Sequence, residues 1–96
     1  MLIDKGISRG DVITIKLNSG EELIASFVEE TDTYIKVSKP RVLASANNGI
    51  GIAPYLFTVD ADRDIKIYKP VVVMEPTQAD YAKQYTETTT SIQLEI

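Results

Sequence analysis

Between residues 11 and 37 apolar side chains return at every second position in three successive runs, and that period constrains the fold more than any other feature. Ile13, Ile15 and Leu17 alternate with Thr14 and Lys16, as in a strand with one face in a core and the other in water. Leu23, Ala25 and Phe27 repeat the pattern, and Ile35 and Val37 resume it against Tyr34 and Lys36. A helix would need a period of about 3.6, which none of these runs has. Asn18-Ser19-Gly20 separates the first two runs, where Gly supplies the positive φ of a tight hairpin and Asn and Ser suit a turn. The polar stretch 29–33 separates the second from the third. An antiparallel meander is therefore expected.

Beyond it, Pro40 either ends the third strand or marks an edge, since it lacks the donor a central ladder needs. Residues 44–54, rich in Ala, Ser, Asn and Gly, read as a connector. Strands are expected again at 55–59, 65–68 and 71–74, with a charged break at 60–64. The last of these is wholly apolar and predicts burial on both faces. Pro76 closes the β region, and Thr77 with Asp80 resembles a capping box opening a helix over 78–86. Tyr81 and Tyr85 form a stripe on that helix, suited to packing on the sheet or on a neighbour. The β-branched Thr88-Thr89-Thr90 run is expected to end it, and Ile92, Leu94 and Ile96 alternate as a terminal strand that could pair with another subunit. The division is thus a β domain over 1–76 and a helix with a short strand over 77–96, packed on that domain or on a neighbouring subunit.

A chain of 96 residues holds a single core of modest size, so self-association is a natural source of further burial. There is no Cys, hence no disulfide and no thiolate metal site, and no His, the commonest general base. An enzyme is not expected, and no catalytic residue, metal or small-molecule cofactor is assigned. Asp60, Asp62 and Asp64 in DADRD copy the first acidic positions of a calcium loop. The Gly and Glu that such a loop requires are Ile65 and Val71 here, which favours a plain charged turn. No phosphate-binding glycine loop or nucleophile elbow occurs.

The net charge of −4 argues against a surface that attracts phosphates everywhere. Cations do cluster at Lys36, Lys39 and Arg41 and at Arg63, Lys66 and Lys69, either as a local basic patch or as solvated surface. No stretch approaches a membrane span, and Asp4, Lys5 and Arg9 precede any apolar run, so no signal peptide is expected. A cytoplasmic protein is the expectation, in the host cytoplasm if the chain is viral.

The pattern Ile13-x-Ile15-x-Leu17-x-x-Gly20-x-x-Leu23-x-Ala25-x-Phe27, followed by Asp32-x-Tyr34-Ile35-Lys36, resembles the Sm1 motif of the Sm/LSm superfamily, which includes Hfq-like proteins. Ala25 stands at the family's second glycine, Asp32 comes one residue late, and Lys36 replaces an asparagine. Tyr68-Lys69-Pro70 ahead of Val71–Met74 resembles the bacterial Tyr-Lys-His turn of the Sm2 motif, with proline for histidine. A second alignment places that turn at 60–64. Glu75-Pro76 and the tyrosine-bearing helix are similar to those of Sm-like proteins of tailed bacteriophages.

The resemblance implies an all-β fold with one short C-terminal helix: a small, strongly bent, five-stranded antiparallel barrel that forms homo-oligomeric rings by pairing its fourth strand with the fifth of the next subunit. It further implies single-stranded RNA as partner. Tyr34 would be the stacking platform, Lys36, Tyr68 and Lys69 would meet phosphates or base edges, and Asp32 would brace the loop. Loss of the asparagine amide removes a group suited to reading a base edge. Two functions follow: an RNA-binding ring engaged in RNA regulation or processing, or a ring serving as a structural or protein-interaction module without RNA. Other small barrels, of SH3 or OB type, share the strand pattern.

Overall fold

A computed structural model describes residues 6–46, 49–76 and 79–90. It contains strands β1 (Val12–Lys16), β2 (Glu22–Glu30), β3 (Tyr34–Ala46), β4 (Gly49–Pro54), β5 (Ile65–Tyr68) and β6 (Val72–Met74), then helix α1 (Ala79–Thr90). The six strands form one antiparallel sheet in the order β4-β3-β2-β1-β6, with β5 joined to the free half of β3. The sheet is not closed into a barrel: among the described residues β5 and β6 are not paired with each other.

The first hairpin forms as its turn chemistry predicts. Gly20 has φ 110°, and its N–H donates to the Leu17 carbonyl at 3.0 Å, while Leu17 N–H donates to Glu21 at 2.9 Å. Alternation then sends Ile13, Ile15, Leu23, Ala25, Phe27, Ile35, Val37 and Ile67 into one core. Each large member contributes about 1.5–3 kcal/mol by leaving water.

The third strand departs from expectation. It runs through Pro40 and continues to Ala46, thirteen residues in all. Ile24 pairs with Arg41 but Ser26 with Ser38, so Lys39 and Pro40 together face the single Ala25. This is a β-bulge, where a missing N–H leaves no ladder bond unmade and proline is tolerated inside a sheet. Lys39 occupies the left-handed region at φ 53°. The irregularity thus lies opposite Ala25, at the family's second glycine position, with the extra residue on the partner strand.

The 44–54 segment is not a connector. Arg41 to Ala46 pair with Pro54 to Gly49 as a second antiparallel hairpin, and residues 47–48 lie outside the described residues. Residues 55–59 in turn form no strand, because both halves of β3 are already occupied by β4 and β5. Tyr55 packs against the core, while Phe57 is 94% exposed. Strand β6 is not buried on both faces: Val73 touches the core, but Val72 and Met74 are exposed. It pairs with β1 on one side only.

Helix α1 lies against β2 on the face opposite the core, where Ile24 is fully buried. A bulge leaves carbonyls without ladder partners, and the helix supplies a donor: the Tyr85 hydroxyl reaches Lys39 O at 2.9 Å and Ser38 O at 3.3 Å. The threonine run continues the helix instead of ending it. Thr89 and Thr90 hydroxyls bond back to the carbonyls of Tyr85 and Thr86, which satisfies them within helical geometry. Thr77 of the expected capping box and the expected terminal strand lie outside the described residues.

On the same face the buried Arg41 guanidinium donates to Ala61 O at 2.7 Å and pairs with Asp62 at 3.0 Å, tying down the loop before β5. DADRD is thus a turn, closed by Arg63 N–H to Asp60 O at 3.1 Å, with one acid spent on an arginine. Among the described residues no helix is long and apolar enough to cross a membrane.

Candidate nucleic-acid interface

The turns after β2 and β5 meet at one end of the sheet. Lys69 N–H donates to Thr33 O at 2.9 Å, so the two loops are bonded directly. This junction gathers the sequence-predicted residues. Tyr34 opens β3 and Tyr68 ends β5, directly across the ladder from it. Lys36 lies one alternation further along β3, Lys69 follows Tyr68, and Asp32 sits exposed at the turn.

Inward-facing Ile35 and Ile67 fix the register, which forces Tyr34, Lys36, Lys66 and Tyr68 onto the outward face together. The two tyrosine rings meet edge to face, with centroids 5.8 Å apart and planes at 72°. The Lys66 ammonium lies over the Tyr34 ring, 4.8 Å from its centroid. Such a cation–π contact contributes about 0.5–1 kcal/mol at an exposed site.

These contacts change the assignment of roles. Tyr34 is half-buried, has one face beneath Lys66, abuts Tyr68, and donates its hydroxyl to Glu29 at 3.2 Å. Tyr68, at 65% exposure, offers the open aromatic surface. The turn is braced by Thr31 and not by Asp32. Its hydroxyl oxygen accepts N–H bonds from Thr33 and Tyr34, each at 3.2 Å, and its own N–H donates to Tyr34 O at 2.8 Å.

Charge at the junction is nearly balanced. Lys69 pairs with Glu30 at 2.7 Å, which leaves its charge largely compensated. Among the described residues neither Lys36 nor Lys66 has a carboxylate within ion-pair distance. Lys66 was missed in the sequence-based selection, although alternation places it on the face of Tyr68. Thr31 carried a weaker signal, that of a hydroxyl residue opening a turn. No protein-family model matches the chain, and no curated protein matches it.

Proposed function

We propose that the chain is a ring-forming, Sm-like subunit that binds single-stranded RNA on the outward face of β3 and β5. The observation that carries this reading is the convergence of Tyr68, Tyr34, Lys36 and Lys66 at the junction of the two loops. An exposed aromatic ring flanked by ammonium groups suits a base stacked between backbone phosphates, and such stacking contributes about 1–3 kcal/mol per base. With the 41–54 hairpin set aside, the order β6-β1-β2-β3-β5 leaves the fifth and last strands unpaired on their outer sides. This arrangement suits an open, bent sheet that joins its copies edge to edge and thereby removes both open edges.

Tyr68 is the stacking platform, Lys36 and Lys66 meet phosphates, and Tyr34 with Lys69 positions the loops. Fluorescence anisotropy with short uridine-rich and adenine-rich RNA at two salt concentrations tests the reading. Binding that weakens with salt and with Tyr68→Ala is expected, whereas no binding even at low salt rules it out.

The Lys69–Glu30 ion pair favours a second reading, since it withdraws one cation from the face. In that reading the same ring is a protein-interaction or structural module. It predicts a ring of unchanged size that binds no RNA in the same titration.

A further inference from the structure

A groove of about 420 Å³ crosses the helix-bearing face of the sheet. Its apolar lining comes from Ile24, Leu43, Ile50, Met74 and Tyr81, and it reaches the β6 edge at Met74 and Glu75. At the opposite, β5, edge stands a loop with the reverse property. Leu56, Phe57 and Val59 are all exposed, Phe57 almost completely. A fully exposed phenylalanine beside two other apolar side chains is an uncommon surface for a lone domain.

The turn that follows this loop is anchored. Arg41 holds Ala61 and Asp62 on the helix-bearing face, where Thr89 flanks the same residues. The turn at 60–62 and the groove therefore belong to the same face of the sheet, with the apolar loop just ahead of that turn and one mouth of the groove at the β6 edge. Every neighbouring strand pair in the sheet is antiparallel. If β5 of one copy joins β6 of the next in the same sense, the Ile65 end of β5 lies beside the Met74 end of β6. The apolar loop is joined to Ile65 by the turn 60–64, which the Arg63 N–H to Asp60 O bond closes, and the groove reaches the β6 edge at Met74.

We infer that the groove is the receptor for the 56–59 loop of a second copy of this chain, with Phe57 as the inserted side chain. The inference rests on the edge-to-edge assembly proposed above, and it adds a heterologous knob-and-socket contact to the backbone pairing. Because the knob stands on the β5 side and the groove opens at the β6 edge, each copy can give one and receive one, which closes a ring and leaves neither exposed. The same join brings Arg63 of one copy toward Glu75 of the next; both are exposed, and neither has an ion-pair partner among the described residues.

Single-cysteine chains test this directly, since the protein has no Cys of its own. Phe57→Cys and Met74→Cys chains carrying different tags are co-expressed and oxidised. A disulfide-linked pair containing one of each is expected, in excess of either chain linked to itself. Light scattering of Phe57→Ser, with circular dichroism to verify the fold, should show assembly shifted to about tenfold higher concentration or more, as for loss of a buried aromatic anchor. If wild type assembles, Phe57→Ser assembles equally well and no mixed disulfide forms, the knob-and-socket contact is overturned while the ring reading stands. Predominant self-linked pairs would indicate a symmetric contact and overturn it too. A strictly monomeric wild type at tens of micromolar overturns both.

Discussion

Two tyrosines that alternation places on one outward face carry unequal duties, and substitution should separate them. Tyr68→Ala removes the open ring without disturbing a hydrogen bond, so RNA affinity should fall about tenfold, within the range of one lost stacking contact. Loss of its edge-to-face contact with Tyr34 should cost about 0.5–1.5 kcal/mol of stability. Tyr34→Ala loses the cover of Lys66, the contact with Tyr68 and the bond to Glu29, and should lower the urea midpoint as well as the affinity. A third tyrosine serves the fold alone. Burial pushes the Tyr85 phenol up to about 12, against the opposing pull of nearby Arg41. The folded state thus holds this proton more tightly than the unfolded chain. The associated stability is fully present below about pH 10, the ordinary phenol value, and is lost as pH rises through about 12. Urea unfolding at pH 8, 10 and 11 should show this decline in wild type and less of it in Tyr85→Phe. At neutral pH Tyr85→Phe should cost about 1–2 kcal/mol, the effect of leaving the bulge carbonyls without their donor.

At the level of elements, the bulge decides the shape. Lys39 holds a left-handed conformation that a glycine adopts without strain, so Lys39→Gly should stabilise by about 0.5–1 kcal/mol, and the β-branched Lys39→Val should destabilise by at least as much. Thermal denaturation of the two variants reads the sign directly. The same bulge marks how far the sequence could be read. The first hairpin was legible because period, Gly20 and turn polarity agree, and β5 because Ile65 and Ile67 alternate cleanly. The far half of β3 and β4 was not. Pro40 ordinarily stops a strand, and the Ala and Gly of 44–46 and 49–54 have little strand propensity; only their mutual pairing makes them strands. Tyr55 to Val59 failed in the opposite way, having the propensity while β3, the strand beside them, is already paired with β4 and β5. The threonine run misled because back-bonding to carbonyls within the helix cannot be seen in a propensity scale. Four of the candidate site's predicted residues, Tyr34, Lys36, Tyr68 and Lys69, were legible as neighbours once Ile35 and Ile67 were known to face inward, and Asp32 as their adjacent turn. Their division of labour was not, because burial and partners depend on contacts between β3, β5 and the acids of β2.

For the whole molecule, net charge and the local balance of lysines against acids limit how strongly phosphates can be drawn in. If Lys36 and Lys66 make the phosphate contacts, affinity should drop only about sevenfold for each subunit engaged between about 50 and 200 mM salt. Anisotropy titrations across that range measure the slope, and Lys66→Ala should flatten it. The long third strand has a further bearing on how such a chain can vary. Its opening half serves β5 and the tyrosine face, its closing half serves β4, and the bulge at Lys39 and Pro40 absorbs the change between them. The part of the 41–54 hairpin beyond the residues paired with β2 is consequently free to change in length. Removing facing pairs such as Ala44 with Gly51 and Ser45 with Ile50 would shorten it while preserving the register of every strand at the tyrosine face. Evolution can therefore lengthen, trim or redecorate one end of this molecule while the tyrosine-bearing end keeps its geometry.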